Sequence, residues 1–499
     1  QIDNVFRSDM MQNLIPLPAS LRLGEGTFTL ESNAAVFVQP DEEDIRRVGG
    51  SLANCLRPAT GFELLVLPAD VSSTNGLLLT IDEARTDLGE EGYELVVEPE
   101  AIVLRARRPA GLFRGAQTIR QLLPPSIEAH TEQSGPWQIN CVTIRDVPRF
   151  GWRGVMLDVA RHFFPVAAVK RLIDQIAYYK FNILHLHLTD DQGWRLMINS
   201  WPRLTEYGGT TDFTGGHGGF YTQEEYGQIV EYAAAHYIDI IPEVDMPAHT
   251  NSALASYAVL NENDVARPLY IGYEGGSSSL AIRKEVTYQF LEDTLREIAA
   301  LTPSPYIHIG GDEAHSTDES DYRIFIERVQ KIVQGLGKQC IGWEEISRAE
   351  LLPDTIVQHW WQAPLAQEAA RRGHKLILSP ASKIYLDIKY DASTSLGLDW
   401  TKQYIDVRDA YDWNPASILE GVSEESVIGV EAELWTETVA TVDDLDFMLF
   451  PRLPACAEVG WTAREKRDWE EYCLRLANHG QRLAALGINF FRSSQVPWK

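Results

Sequence analysis

The chain has 499 residues, 44% of them hydrophobic and 23% charged, with 71 acidic against 44 basic side chains and a formal net charge of −27. Its length exceeds one ordinary domain, and its composition is that of a globular chain with a sizeable core, which excludes disordered and fibrous classes. So acidic a balance repels phosphate backbones and anionic lipid, which removes nucleic acid from the expected partners, and no apolar run approaches the roughly 18 residues of a membrane span.

The chain opens "QIDNVFRSDM", with neither Met nor a leader-like apolar run, so its compartment is open; export after leader removal is slightly favoured over a cytoplasmic location. Cys55, Cys141, Cys340, Cys456 and Cys473 lie far apart with no CxxC pair, so neither a disulfide framework nor a zinc ribbon is expected. Residues 1–147 mix short alternating strands, in "GTFTLESNAAVFV" and "YELVVEPEAIVLRAR", with a helically spaced segment, "GLFRGAQTIRQLL". They are expected to form a compact α+β domain. It holds no cluster of catalytic groups, so a scaffold role is its natural reading.

From residue 148 to 499 the pattern becomes strand, helix, strand, helix. Strands are predicted at 154–161, 181–191, 237–245, 306–313, 339–345, 355–361, 375–387 (strand, then loop) and 427–437. Helical segments such as "VAAVKRLIDQIAYYK", "QEEYGQIVEYAAAH" and "VTYQFLEDTLREIAAL" separate them. Eight such repeats predict an α/β chain with a (β/α)₈ barrel, the TIM barrel, while a doubly wound sheet lacks its Gly-rich phosphate loop after the first strand.

In a barrel of this kind the chemistry sits at the C-terminal strand ends. Those ends here carry Arg161, Asp190 with Asp191, Asp245, Asp312 with Glu313, Glu344 with Glu345, Trp360, Asp387, and Trp435 with Glu437. Insertions at "GGTTDFTGGHGGF", "GYEGGSSSL" and "DASTSLGLDW" would build cleft walls above them. Of the thirteen tryptophans, Trp343, Trp360, Trp361, Trp400 and Trp435 fall in this half. Aromatic faces cover the C–H faces of sugar rings, and carboxylates with an arginine hold hydroxyls, so the rim suits a neutral polyhydroxy substrate. A glycosidase normally places two carboxyls across the scissile bond, which sits awkwardly with Asp312 and Glu313 on one strand tip. Glu313 could protonate the leaving group while Asp312 holds a nucleophile that belongs to the substrate. His185 and His187 have the spacing of a metal pair on a strand, with His308 a third candidate. They read better as interior histidines satisfied by hydrogen bonds, and no metal is expected. Glu344, Glu345 and Glu431 read as supporting groups.

The ordered set "LDVARHFFP", "HLHLTDDQGWR", "EVDMPAH", "HIGGDE", "WEE", "YLD" and "ELWTE" resembles the family 20 glycoside hydrolases, the β-N-acetylhexosaminidases, over about 290 residues. The region before it resembles that family's non-catalytic N-terminal domain. The resemblance implies exo-acting, retaining hydrolysis of terminal β-linked GlcNAc or GalNAc, with the sugar's own 2-acetamido oxygen as nucleophile, an oxazolinium intermediate and no cofactor. It implies that Glu313 is the general acid and base, and that Asp312 orients the acetamido N–H and stabilises the charge that develops. Tyr385 matches the donor to the acetamido carbonyl, and Trp343, Trp360 and Trp435 the walls of its pocket. Arg161, Asp190, Asp387 and Glu437 match groups that hold sugar hydroxyls. Asp245 and His249 match a pair that tunes protonation at the site. The chain departs from the family at Ala248, where Gly is common. Trp361 competes with Trp360 for one role, and Trp400 lies in a variable loop as a candidate for the leaving-group side. Two alternatives remain: a retaining glycosidase with a protein nucleophile, for which Glu437 is the strand-end candidate, and a sugar-binding protein without turnover. Whether the chain is a monomer or a homodimer is left open by its residues.

Overall fold

The computed structural model describes residues 14–70, 76–273 and 277–499. By proximity of Cα atoms the chain divides into two compact units. One takes the chain up to Gly151 together with Ala177–Lys180 and Phe450–Lys499; the other takes Trp152–Ile176 and Phe181–Leu449.

In the first unit seven strands form one sheet: β1 (Ser20–Thr29), β2 (Ala35–Gln39), β3 (Val66–Pro68), β4 (Gly76–Ile81), β5 (Tyr93–Val97), β6 (Ala101–Ala106) and β7 (Gln138–Asp146). Their spatial order is β1-β7-β5-β6-β4-β2-β3, antiparallel from β1 to β6 and parallel from β6 to β3. Helices Glu43–Thr60 and Pro109–Leu122 present buried apolar stripes. The second lies so close to β6 that a Cβ at Gly115 would stand 2.3 Å from Leu104 Cδ1, so only glycine allows the approach. The C-terminal helices Arg452–Trp461 and Trp469–Ala485 belong to the same unit. The buried pair Glu458–Arg475, at 2.6 Å, joins them, and Glu458 also accepts the Leu17 N–H at 3.0 Å.

The second unit is a closed barrel of eight parallel strands: β8 (Trp152–Asp158) and β9 (Ile183–His187), then, after a short hairpin of β10 (Thr189–Asp190) and β11 (Gly193–Trp194), β12 (Asp239–Glu243), β13 (Tyr306–His308), β14 (Gln339–Trp343), β15 (Ile356–His359), β16 (Leu376–Leu378) and β17 (Val427–Leu434). The expected (β/α)₈ barrel is therefore present, with the strands in the expected order. Most strands are shorter than read from sequence, because the ladder ends where the chain turns to aim side chains across the barrel mouth. The 306–313 segment shows this best: pairing stops at His308, and Gly310 and Gly311 follow with φ of +65° and +101°.

The barrel floor is apolar, built from Trp152, Ile183, Ile241, Ile341, Ile356 and Ile377. The layer above it is polar and mostly ionisable. His185, His187, Glu243, His308, Gln358 and Glu431 are all at most 1% exposed. Buried polar groups in such numbers are tolerable only if they satisfy one another. Much of that demand is met within the layer: Trp152 Nε1 and Gln358 Nε2 both donate to Glu431, at 2.8 and 2.9 Å, and Trp343 Nε1 donates to Glu243 at 2.9 Å. Gly154 makes room for this layer, since a Cβ there would meet Glu431 Oε2 at 2.2 Å.

Candidate active site

At the C-terminal end of the barrel a cavity of about 310 Å³ opens between the strand tips. Its position follows from local backbone choices. After β13, Gly310 must be glycine, because a Cβ would lie 1.8 Å from Asp245 Oδ1. The Gly311 N–H donates to that same oxygen at 3.1 Å, and Tyr322 Oη donates to the Gly311 carbonyl at 2.6 Å. The Trp343 N–H donates to the Gly310 carbonyl at 2.9 Å. So pinned, the turn delivers Asp312 and Glu313 in different directions. Asp312 is buried at the cavity wall, whereas the Glu313 side chain keeps 40% of its surface exposed. Glu313 has φ +46° and His249 φ +55°, left-handed conformations that non-glycine residues hold only when their surroundings enforce them.

His249 stands between these two carboxylates and a third. Its Nδ1 lies 3.1 Å from Asp190 Oδ1, and its Nε2 lies 3.3 Å from Glu313 Oε2 and 3.6 Å from Asp312 Oδ2. Burial opposes a charge on His249, but Asp190, Glu313 and Asp312 outweigh it and hold the imidazolium well above the ordinary histidine range. The contact with His249 in turn holds Glu313 below the usual carboxylate range, against the effect of burial. Burial pushes Asp312 the other way, up to about 6, with His249 opposing and the charges of Glu313 and Glu243 adding to it. Asp245, buried beside Asp312, is pushed well above the carboxylate range by desolvation and by that neighbour's charge. Two adjacent carboxyls thus titrate in opposite directions because one is walled in and the other faces a cation and solvent.

Aromatic rings enclose the Asp312 side of the cavity. Trp360 and Tyr385 lie nearly parallel, 6.2 Å apart with 11° between planes, and Trp343 and Trp435 face each other at 6.0 Å. Their edges are tied down: Trp343 Nε1 donates to Glu243 and Trp360 Nε1 to Glu345, at 2.9 and 3.2 Å. Desolvation holds the Tyr385 phenol well above its ordinary value, so it remains a donor. Arg161 lies over the Trp435 ring at 5.0 Å, bonded to Asp158 at 3.1 Å and Gln192 at 3.2 Å. Glu437 lines the cavity too, its carboxyl raised by burial against the pull of Arg161, and Asp387 and Trp400 complete the expected set. Trp360 is in the wall; Trp361 is 51% exposed and packs on Trp400 at 5.3 Å instead.

Two expectations need correcting. Asp190 does not line the cavity. It is 1% exposed, and its oxygens are taken by Arg161, His187, His249 and the Asp191 N–H, leaving none aimed at a sugar hydroxyl. Asp245 does not line it either. It lies beneath Asp312, and its hydrogen bond goes to the glycine turn rather than to His249. Both position other groups. Conversely, sequence reasoning missed Gln192, Phe213, Tyr273 and Leu398, which the fold adds to the wall. Each belongs to a segment that was singled out ("DDQGWR" and the three insertions), but which residue of an insertion turns inward is set by contacts such as Gln192 Nε2 to the Gly272 carbonyl, 2.8 Å. The two histidines with the spacing of a metal pair, read as interior groups, have a carboxylate oxygen within 3.0 Å of each ring nitrogen, His185 facing Glu243 and Glu431, and His187 facing Glu243 and Asp190.

Comparison with known proteins gives concordant results. Residues 150–464 match "Glycosyl hydrolase family 20, catalytic domain" and residues 11–147 match "Glycosyl hydrolase family 20, domain 2". A β-N-acetylhexosaminidase of Cellulomonas fimi is 40% identical over 491 residues, 97% of each chain. The structure of the GH20 β-N-acetylhexosaminidase from Streptomyces coelicolor A3(2) superposes with a TM-score of 0.95 at 49% identity, covering 98% of this chain and 99% of that one. A variant of Streptomyces plicatus β-hexosaminidase in complex with product GlcNAc gives the same TM-score and identity, covering 98% of both chains.

Proposed function

The chain belongs to glycoside hydrolase family 20, and from that membership and the geometry of its cavity we propose that it removes terminal β-linked N-acetylhexosamine from oligosaccharides or glycoconjugates, with retention and with the substrate's acetamido group as nucleophile. The observation that carries the reading is the split at the β13 tip. Asp312 is buried in the wall of a cavity that Trp343, Trp360, Tyr385 and Trp435 also line, and the Glu313 side chain at the same cavity keeps 40% of its surface exposed. A protein nucleophile has to reach the anomeric carbon. A carboxylate that assists a substrate nucleophile needs instead a recess for an N-acetyl group beside it, and Trp343, Trp360, Tyr385 and Trp435 line the same cavity as Asp312, which supports that reading.

In this mechanism Glu313 protonates the glycosidic oxygen and later takes the proton of the attacking water, and Asp312 accepts the acetamido N–H and balances the positive charge of the oxazolinium ion. Tyr385 donates to the acetamido carbonyl and aims its oxygen at the anomeric carbon, while Trp343, Trp360 and Trp435 close around the methyl group. Arg161, Asp387 and Glu437 hold hydroxyls of the terminal sugar ring, so a sugar whose hydroxyls are blocked by a further residue would lose those contacts. That is the basis for exo action. Trp400 stands on the leaving-group side.

The test is turnover of two aryl β-glycosides, one of N-acetylglucosamine and one of glucose. Cleavage confined to the acetamido sugar is expected. Equal cleavage would point to a protein nucleophile and to Glu437, and cleavage of neither would leave a binding protein.

A further inference from the structure

Beneath the cavity lies a run of buried ionisable groups to which the roles above give no task. His187, at the end of β9, has Nδ1 2.6 Å from Glu243 Oε2 and Nε2 2.8 Å from Asp190 Oδ2. A neutral imidazole donates from one nitrogen only, so a ring with carboxylate oxygens on both sides carries two protons unless one carboxyl carries one instead. Asp190 is a poor place for that proton, because donors surround it: Arg161 Nη2 at 2.9 Å, His249 Nδ1 at 3.1 Å and the Asp191 N–H at 2.6 Å. Glu243 likewise accepts from Trp343, and His185 Nε2 lies 3.0 Å away. The other groups that face His187 are Asp158 from β8, whose charge favours the cation, and the edge of Trp435 at 4.8 Å. Burial works against the charge, but Glu243, Asp190 and Asp158 outweigh it and raise His187 to about 9.

The consequence concerns His249. Its Nδ1 lies 3.1 Å from Asp190 Oδ1 and its Nε2 lies 3.3 Å from Glu313 Oε2. An isolated Asp190 carboxylate would keep His249 an imidazolium and so leave Glu313 without the proton an acid needs. Two cations on Asp190 Oδ2, Arg161 and His187, withdraw charge from that carboxylate and weaken its hold. Building on the assignment of Glu313 as acid, we propose that His187 is a positioning residue for the reaction's proton: an imidazolium spanning Glu243 and Asp190 that lets the proton shared by His249 and Glu313 rest on Glu313 when a sugar fills the cavity. The proton passes from His249 Nε2 to Glu313 Oε2 and on to the glycosidic oxygen as the anomeric C–O bond breaks. Glu313 regains one from the water that opens the oxazolinium ring, so nothing is consumed. The seat of the proton is decided at the barrel interior, three contacts from the acid itself: His187 to Asp190, Asp190 to His249, and His249 to Glu313.

The experiment compares the wild-type enzyme with His187→Gln on two N-acetylglucosaminides, the dinitrophenyl glycoside, whose leaving group needs no proton, and chitobiose, whose leaving group does. The variant is expected to lose about 10-fold in kcat/KM on chitobiose and under about 3-fold on the dinitrophenyl glycoside, a share of what general acid catalysis contributes. Equal losses on both would overturn the proposal, since a merely structural defect lowers both alike. Should His187→Gln not fold, ¹⁵N spectra of the wild-type histidine rings at pH 7 decide. Two protonated nitrogens on His187 support the proposal, and a neutral ring sinks it. Failure of the functional reading looks different, because wild-type enzyme would then fail to prefer the acetamido sugar at all.

Discussion

Glu313 combines three features that seldom meet in one residue: a left-handed backbone, a half-open side chain and an ion-pair contact with a buried histidine. Holding such a backbone costs on the order of 1 kcal/mol, and it persists because the glycine turn and the Tyr322 bond leave no alternative path. Glu313→Gln keeps the shape and removes the proton. Turnover of disaccharides should fall about 10²- to 10⁴-fold with binding spared, as read by steady-state kinetics and by titration with product. Asp312→Asn makes a two-sided prediction. Folded Asp312 holds its proton more tightly than the unfolded chain does, with a value of about 6 against 3.8. The folded state therefore binds more protons through that window, and stability declines as pH rises across it. The cost of the buried charge is fully present at pH 7, so Asp312→Asn should gain stability there, on the order of 1–3 kcal/mol, while it slows oxazolinium formation. Denaturant melts and kcat on the same samples check both halves; a variant that is no more stable would show the buried charge to be well compensated. For the wild type, kcat/KM should fall as pH drops below about 6, where Asp312, titrating with Asp245, takes up its proton.

Among the elements, the short segment after β15 shows how a wall is held without a strand. Glu344 accepts from His359 Nδ1 and from the backbone N–H groups of Trp360, Trp361 and Gln362. One carboxylate thus sets which tryptophan faces the cavity. Glu344→Ala should raise KM for acetamido sugars more than it lowers kcat, with a stability loss of about 2–4 kcal/mol from the orphaned donors, by kinetics and thermal melts. An unchanged KM would show that the ring packing of Trp360 against Tyr385 suffices alone. This element also marks where sequence reading stops. The carboxylates at strand tips were legible because barrel periodicity fixes which end of a strand bears chemistry, and the adjacency of Asp312 and Glu313 had no structural excuse. That Glu344 serves the backbone, or that Asp190 is spent on three cationic side chains, depends on partners from other strands and on burial that no local pattern encodes. Phe213 and Tyr273 escaped for the same reason. They meet edge to face at 5.9 Å from two different insertions.

For the molecule as a whole, eight βα repeats and the ordered motifs were enough to predict the barrel and the family, because both rest on patterns repeated along the chain. The grouping of Phe450–Lys499 with the N-terminal sheet was not legible. It rests on single long-range pairings such as Glu458 with the Leu17 N–H and Trp461 Nε1 with Asp146, 2.9 Å. Among the described residues no helix is long and apolar enough to cross a membrane. In this framework one cavity supplies an acid and an orienting carboxylate and borrows its nucleophile from the substrate. The most direct measurement is kcat/KM for a series of aryl N-acylglucosaminides in which fluorine progressively replaces hydrogen on the acetyl methyl group. Each fluorine withdraws electrons from the amide oxygen, so kcat/KM should fall steadily through the series. A rate indifferent to fluorination would mean that the amide oxygen does not attack, and that the nucleophile belongs to the protein.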